Sequence, residues 1–178
     1  IEAGWEWVKS DPYDDAYYRE HMHELPPLIH KARDRVIDVH HTILPRTHRV
    51  TPDALAMIGD AVVADGGFAV LCPTDMACHC AAHLLADGDL QGGLRNLWDF
   101  HCLTRDFAAA DAGFWGELDA RAALHGLRAP VQRAARLARD LYGAALPPGW
   151  KRRESGDGWF VRRLLARDDW GRPTHFAL

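Results

Sequence analysis

The sequence has no apolar run near the ~20 residues a bilayer span requires, and no basic segment followed by an apolar stretch opens it. These absences exclude a helical membrane span and a recognisable secretory signal. Nor does one sign of charge dominate: 21 Lys+Arg against 25 Asp+Glu give a net charge of −4, which argues against general nucleic-acid binding through phosphate contacts. Cysteine is scarce, and Cys72, Cys78, Cys80 and Cys102 form neither a CxxC pair nor a framework spacing. That pattern predicts reduced thiols in a cytoplasmic protein and no structural zinc. The chain opens on Ile1 with no initiator methionine and no start signal before Trp5 and Trp7, which predicts a piece cut from a longer protein.

What is present suffices for one domain with a real core, at 178 residues. Charge is unevenly spread: residues 1–30 carry seven acids and two bases, and residues 151–178 seven bases and four acids, a difference in sign that predicts attraction between the ends. Residues 3–9 read as a short strand with Trp5 and Trp7 on one face, and Asp14 or Asp15 caps a short acidic turn through Arg19. The strongest strand signal is Arg35 to Leu44, with Val36, Asp38, His40 and Thr42 on one face and Ile37, Val39, His41 and Ile43 on the other. A hairpin of 21–30 with 35–44 follows naturally.

From Thr51 the period becomes helical. Thr51-Pro52-Asp53 starts a helix whose apolar stripe is Leu55, Ile58, Ala61 and Val62, ended by Asp65-Gly66-Gly67. Phe68 to Leu71 is a short extended piece. Further helices are expected from Pro73 to Ala86, Gln91 to Phe107, Ala112 to His125, Ala129 to Tyr142 and Trp159 to Asp168, with Asp87-Gly88 closing the first of these. The reading is α+β: short antiparallel strands in a strand-rich part, 1–50, followed by a mostly α-helical bundle, 51–178.

Several residues carry candidate chemistry. Asp38 lies between apolar neighbours, where a carboxylate costs energy unless it is paired, hydrated on an exposed face or bound to a cation. Asp75, His79 and His83 fall at i, i+4 and i+8 on nearly one helix face, a spacing that lets two histidines share a metal, with Asp99 and His101 on the next helix to complete a cluster. The Glu of the HExxH metalloprotease motif is missing, with Cys80 in its place. Arg95 and Asp99 are spaced to pair along one helix, and Lys151, Arg152, Arg153, Arg162 and Arg163 form a basic cluster suited either to a phosphate or simply to solvent.

Four segments in order, His21-Met22-His23-Glu24-Leu25-Pro26-Pro27-Leu28, Val36-Ile37-Asp38-Val39-His40 with Ile43-Leu44-Pro45, Leu71-Cys72-Pro73-Thr74-Asp75 through His83, and Leu94-Arg95-Asn96-Leu97-Trp98-Asp99, resemble the uncharacterised bacterial nucleotidyltransferase family of the polymerase-beta-like superfamily. The resemblance covers residues 3–107; beyond about 110 it is only helical. It implies a metal-dependent transfer of a nucleoside monophosphate from an NTP to an unknown acceptor, with Mg²⁺ clamped by converging carboxylates. On that resemblance Asp38 takes the place of the third carboxylate and metal ligand, His40 touches substrate or supports Asp38, and His83, Arg95 and Asp99 serve helix packing or acceptor-side contacts. The superfamily's Gly-Ser followed by Asp-x-Asp on an apolar strand is absent. Asp87-Gly88-Asp89 has only the spacing.

The first expectation is therefore the end of a nucleotidyltransferase core plus its helical domain, inactive by itself, binding a nucleotide and an unknown acceptor. A sheet edge near Trp5 and Trp7 left bare by missing strands invites pairing into a homodimer. The rival is a non-catalytic helical binding or regulatory module. A third reading is a metal-dependent hydrolase using Asp75, His79, His83 and Asp99.

Overall fold

Two units divide the chain, Ile1–Ala54 and Leu55–Leu178. The computed structural model describes residues 3–86, 90, 92–168, 170–172 and 174, so Asp87-Gly88-Asp89 and Gln91 lie outside the described residues. As expected, the chain is α+β, with short N-terminal antiparallel strands followed by a mostly helical part. Among the described residues no helix is long and apolar enough to cross a membrane.

The first unit holds β1 (Glu6–Trp7), α1 (Pro12–His21), β2 (Leu28–His30) and β3 (Arg35–Ile37). Where a short turn capped by Asp14 or Asp15 was expected, a ten-residue helix forms. Its cap is Asp11, whose carboxylate accepts from the Tyr13 backbone N–H at 2.9 Å, with Pro12 at the first helical position. Asp14 and Asp15 sit in the first turn, where the exposed N–H groups favour negative charge, and Asp15 accepts from Arg19 one turn on at 2.8 Å.

β1, β2 and β3 form one antiparallel sheet in that order, with Leu28 opposite Ile37 and Ile29 opposite Val36. The hairpin turns through Asp34 in the left-handed region at φ 48°, a conformation that short polar side chains tolerate. The long strand expected over Arg35 to Leu44 is cut short at Ile37, and pairing resumes only at a bridge between Glu24 and His40. Between these pairs stand Leu25, Pro26 and Pro27 on one side but only Asp38 and Val39 on the other. The cause is chemical: adjacent prolines offer no backbone N–H, so the ladder cannot run through them and a bulge takes up the extra residue.

From the last residue of the first unit into the second, α2 (Ala54–Gly59) stops earlier than its apolar stripe suggests. Val62–Val63 is not the helix end but β4, pairing antiparallel with β5 (Ala69–Val70). Two β-branched residues followed by Asp65-Gly66-Gly67 favour a hairpin over a helical turn, and both glycines take positive φ there. The helices α3 (Pro73–Leu85), α4 (Gly93–Ala110), α5 (Phe114–Leu124), α6 (Arg128–Tyr142) and α7 (Asp157–Leu165) follow. Their common core includes Ala77, Ala81 and Leu84 of α3, Leu97 and Phe100 of α4, Leu118 of α5 and Leu137 of α6, all fully buried. Gly93 allows α4 to begin against this core, since a Cβ there would lie 2.8 Å from Leu164 and 2.9 Å from Leu84.

Two buried carboxylates tie these helices. Asp75, in the first turn of α3, receives Arg121 of α5 in a forked pair, Nε to Oδ1 at 2.7 Å and Nη2 to Oδ2 at 2.6 Å, and lies 3.1 Å from His125 Nε2. The same guanidinium donates to Asp60 at 2.6 Å and to the Ala56 carbonyl at 3.1 Å. Burial, the strongest single influence, works to raise the Asp75 carboxyl, but Arg121, Cys72 and His125 together hold it below the ordinary carboxylate range. Asp157, at the start of α7, accepts from Arg136 at 2.7 Å, from Arg133 at 3.2 Å and from the Glu154 backbone N–H at 3.0 Å. Burial again works upward, and these donors outweigh it, bringing the Asp157 carboxyl down to about 2.

A carboxyl lower in the folded chain than in the unfolded one stabilises the fold above its ordinary value and loses that contribution as pH falls through the folded value. For Asp157 the window runs from the ordinary 3.8 down to about 2. Asp157→Asn is expected to cost ~3 kcal/mol at neutral pH, because it leaves the buried Arg136 only the exposed Glu154 carboxylate, 3.0 Å away, and to flatten the acid limb of stability; denaturant unfolding followed by helical circular dichroism at pH 7 and pH 3 checks both. Asp75→Asn, which takes the buried carboxylate from beside His125 and leaves Arg121 only its exposed partner Asp60, is expected to cost ~3 kcal/mol in the same measurement.

Candidate functional site

The bulge decides which side chains meet across the first hairpin. Continued straight from Leu28 opposite Ile37, the register would set Glu24 opposite His41; the extra residue at Pro26-Pro27 sets it opposite His40 instead. The backbone fixes this pairing, with the Leu25 N–H donating to the Val39 carbonyl at 2.8 Å and the His41 N–H to the His23 carbonyl at 3.0 Å. In consequence Glu24 Oε2 lies 3.4 Å from His40 Nε2, and the His23 and His40 rings meet edge to face with centroids 4.8 Å apart. Among the described residues His23, Glu24 and His40 form the one group of three convergent metal-ligand side chains, one ligand atom of each lying within 4.8 Å of the others.

Asp38 stands in the interval between β3 and the Glu24–His40 bridge, exposed to solvent. A hard cation such as Mg²⁺ takes oxygen ligands from several converging groups. Asp38 belongs to no group of three such ligands among the described residues, so the donors present supply one corner of a Mg²⁺ site and do not compose one. Beyond the hairpin, His41, Thr42, Leu44, Pro45, Arg46 and Thr51 line a hollow of about 390 Å³ within the same unit.

The remaining residues singled out in the sequence lie in the helical unit. His83 is half-buried on α3 with its ring centroid 4.5 Å from that of His79. Arg95 and Asp99 are exposed on α4, and no ion pair joins them among the described residues. The metal-hydrolase grouping is not assembled: both Asp75 oxygens are taken by Arg121, and the group formed by His79, His83 and Asp99 is not among the convergent sets. Burial pushes the Cys80 thiol up to about 12, with Asp99 adding to it, and the Cys78 thiol up to about 12 as well, with Asp75 adding, so neither is a ready thiolate ligand. Of the basic cluster, Arg153 is engaged by Asp140 at 2.8 Å.

His23 and Glu24 entered the sequence reading only as letters of a motif. The signal that could have raised them was the Pro26-Pro27 step, which interrupts the ladder and in this hairpin is accompanied by a one-residue shift of register.

Compared with known proteins, the chain matches neither a curated protein nor a solved structure. A family model does match, over residues 1–143, and is described as an uncharacterised nucleotidyltransferase. It takes in the whole first unit and continues through α6, well past the residue near 110 at which the motif resemblance thins to helices. On that coverage the chain belongs to the uncharacterised nucleotidyltransferase family.

Proposed function

We propose that this chain is part of a nucleotidyltransferase that moves a nucleoside monophosphate from an NTP to an acceptor hydroxyl, with Asp38 as one of the carboxylates that hold the divalent cation. The observation that carries the reading is the family match over residues 1–143, which includes the hairpin on which Asp38 is exposed. In such a transfer an oxygen of the acceptor forms a bond to the α-phosphorus as the bond to pyrophosphate breaks, and the acceptor's proton passes to a base. A divalent cation supplies charge neutralisation and alignment of the phosphates.

One exposed carboxylate does not achieve this alone. The sequence has no Gly-Ser followed by Asp-x-Asp, so in this reading the further carboxylates come from outside these 178 residues, and this chain contributes the third position and the helical unit. Arg95 and Asp99, exposed on α4, are the side chains left for contact with an acceptor, while His83 packs on its own helix beside His79. His40, paired with Glu24, is a supporting group near the substrate.

Calorimetric titration of the longest natural form of the protein with an NTP, with and without Mg²⁺, tests the reading. Binding that requires Mg²⁺ and weakens at least about tenfold, ~1.4 kcal/mol, in Asp38→Ala is the expected outcome. No binding in either protein overturns it and leaves the non-catalytic helical module, which shares the family's fold alone.

A further inference from the structure

The hairpin holds a second set of donors whose chemistry differs from that of Asp38. His23, Glu24 and His40 bring two imidazoles and one carboxylate together, with one ligand atom of each within 4.8 Å of the others. In a tetrahedral site with metal–ligand bonds of about 2.0–2.1 Å, neighbouring ligand atoms lie about 3.4 Å apart. The Glu24 to His40 separation is already 3.4 Å. The widest separation in the group has to close by no more than about 1.4 Å, which side-chain rotation supplies without moving the strands.

The strands themselves are held. Leu25 N–H to Val39, His41 N–H to His23 and Thr42 N–H to His23 are backbone bonds of 2.8, 3.0 and 3.3 Å that bracket the three ligands. A ligand set carried on paired backbone is preorganised in a way that a set on a free loop is not. The type of donor then selects the ion. Mg²⁺ and Ca²⁺ favour all-oxygen shells, whereas two imidazole nitrogens with one carboxylate suit a borderline first-row ion such as Zn²⁺. The Glu24 and His40 side chains are 25% and 33% exposed, which leaves an approach for water or a ligand at the remaining coordination position.

We propose that His23, Glu24 and His40 form a three-ligand site for a zinc-like divalent transition ion with an open position, distinct from any Mg²⁺ bound through Asp38. The assignment rests on the hairpin geometry and is independent of the nucleotidyltransferase reading.

The test uses the full chain, stripped with a chelator, titrated with Zn²⁺ by calorimetry and with Co²⁺ by its visible d–d absorption. One ion per chain is expected, with a Co²⁺ spectrum free of thiolate charge transfer. His23→Ala, His40→Ala and Glu24→Gln are each expected to weaken binding at least about tenfold, while Asp38→Ala and the double variant His79→Ala/His83→Ala bind as the parent does. Because Glu24→Gln keeps the side chain's size, thermal unfolding gives a second readout: Zn²⁺ raises the melting temperature of the parent and of Asp38→Ala but not of Glu24→Gln. Absence of binding overturns the proposal and leaves a plain His–Glu pair across the hairpin. So does binding that survives loss of His23 and His40, binding that disappears with His79 and His83, or binding marked by thiolate charge transfer.

Discussion

Two adjacent prolines cannot donate a backbone hydrogen bond, and the register of the first unit's hairpin depends on that deficit. At Pro26-Pro27 the ladder of the hairpin has to lapse, and the residue that cannot be paired becomes a bulge. Everything beyond it is displaced by one position. Because side chains alternate between faces, a one-residue displacement exchanges the neighbours across the hairpin, and Glu24 comes to face His40 rather than His41. Asp38 falls in the same lapse, on backbone outside the ladder, which leaves its carboxylate in water. The separation of a carboxylate position from an imidazole-rich one, two residues apart in sequence, follows from the prolines.

The helical unit uses its acids differently. Asp75 and Asp157 are buried, and each is met by an arginine that presents two N–H groups. A carboxylate removed from water in this way is stable only as part of its pair. Both stand in the first turn of a helix, so each fastens the beginning of one helix to the flank of another: α3 to α5 through Arg121, α7 to α6 through Arg136. These acids are structural fastenings that hold helix to helix.

Much of this was legible from residues close together in sequence. The hairpin that joins β2 to β3, the proline-led start of α3 and the glycine-punctuated helices all follow from local signals, and the order of strands before helices gave the α+β class. Where the reading failed, either two local signals competed or the partner was distant. Val62 fitted a helical stripe by spacing, yet its β-branched neighbour and the following Asp-Gly-Gly turn prevailed and made a strand. Asp75 fitted a face with His79 and His83, but its partners are Arg121 and His125, 46 and 50 residues away, and helical spacing carries no trace of them. The cluster of His23, Glu24 and His40 needed the register of the hairpin, which the prolines set and a period-two count does not show.

The grip of Arg121 has an evolutionary reading. One planar guanidinium serves Asp75 through two bonds and Asp60 and Ala56 through one each, a geometry that a lysine ammonium cannot reproduce. Selection for a folded helical unit is therefore enough to hold Arg121 and Asp75 fixed together through divergence, whatever the chain binds. Co-variation or invariance at that pair among relatives would mark the architecture of the helices and would carry no information about a ligand.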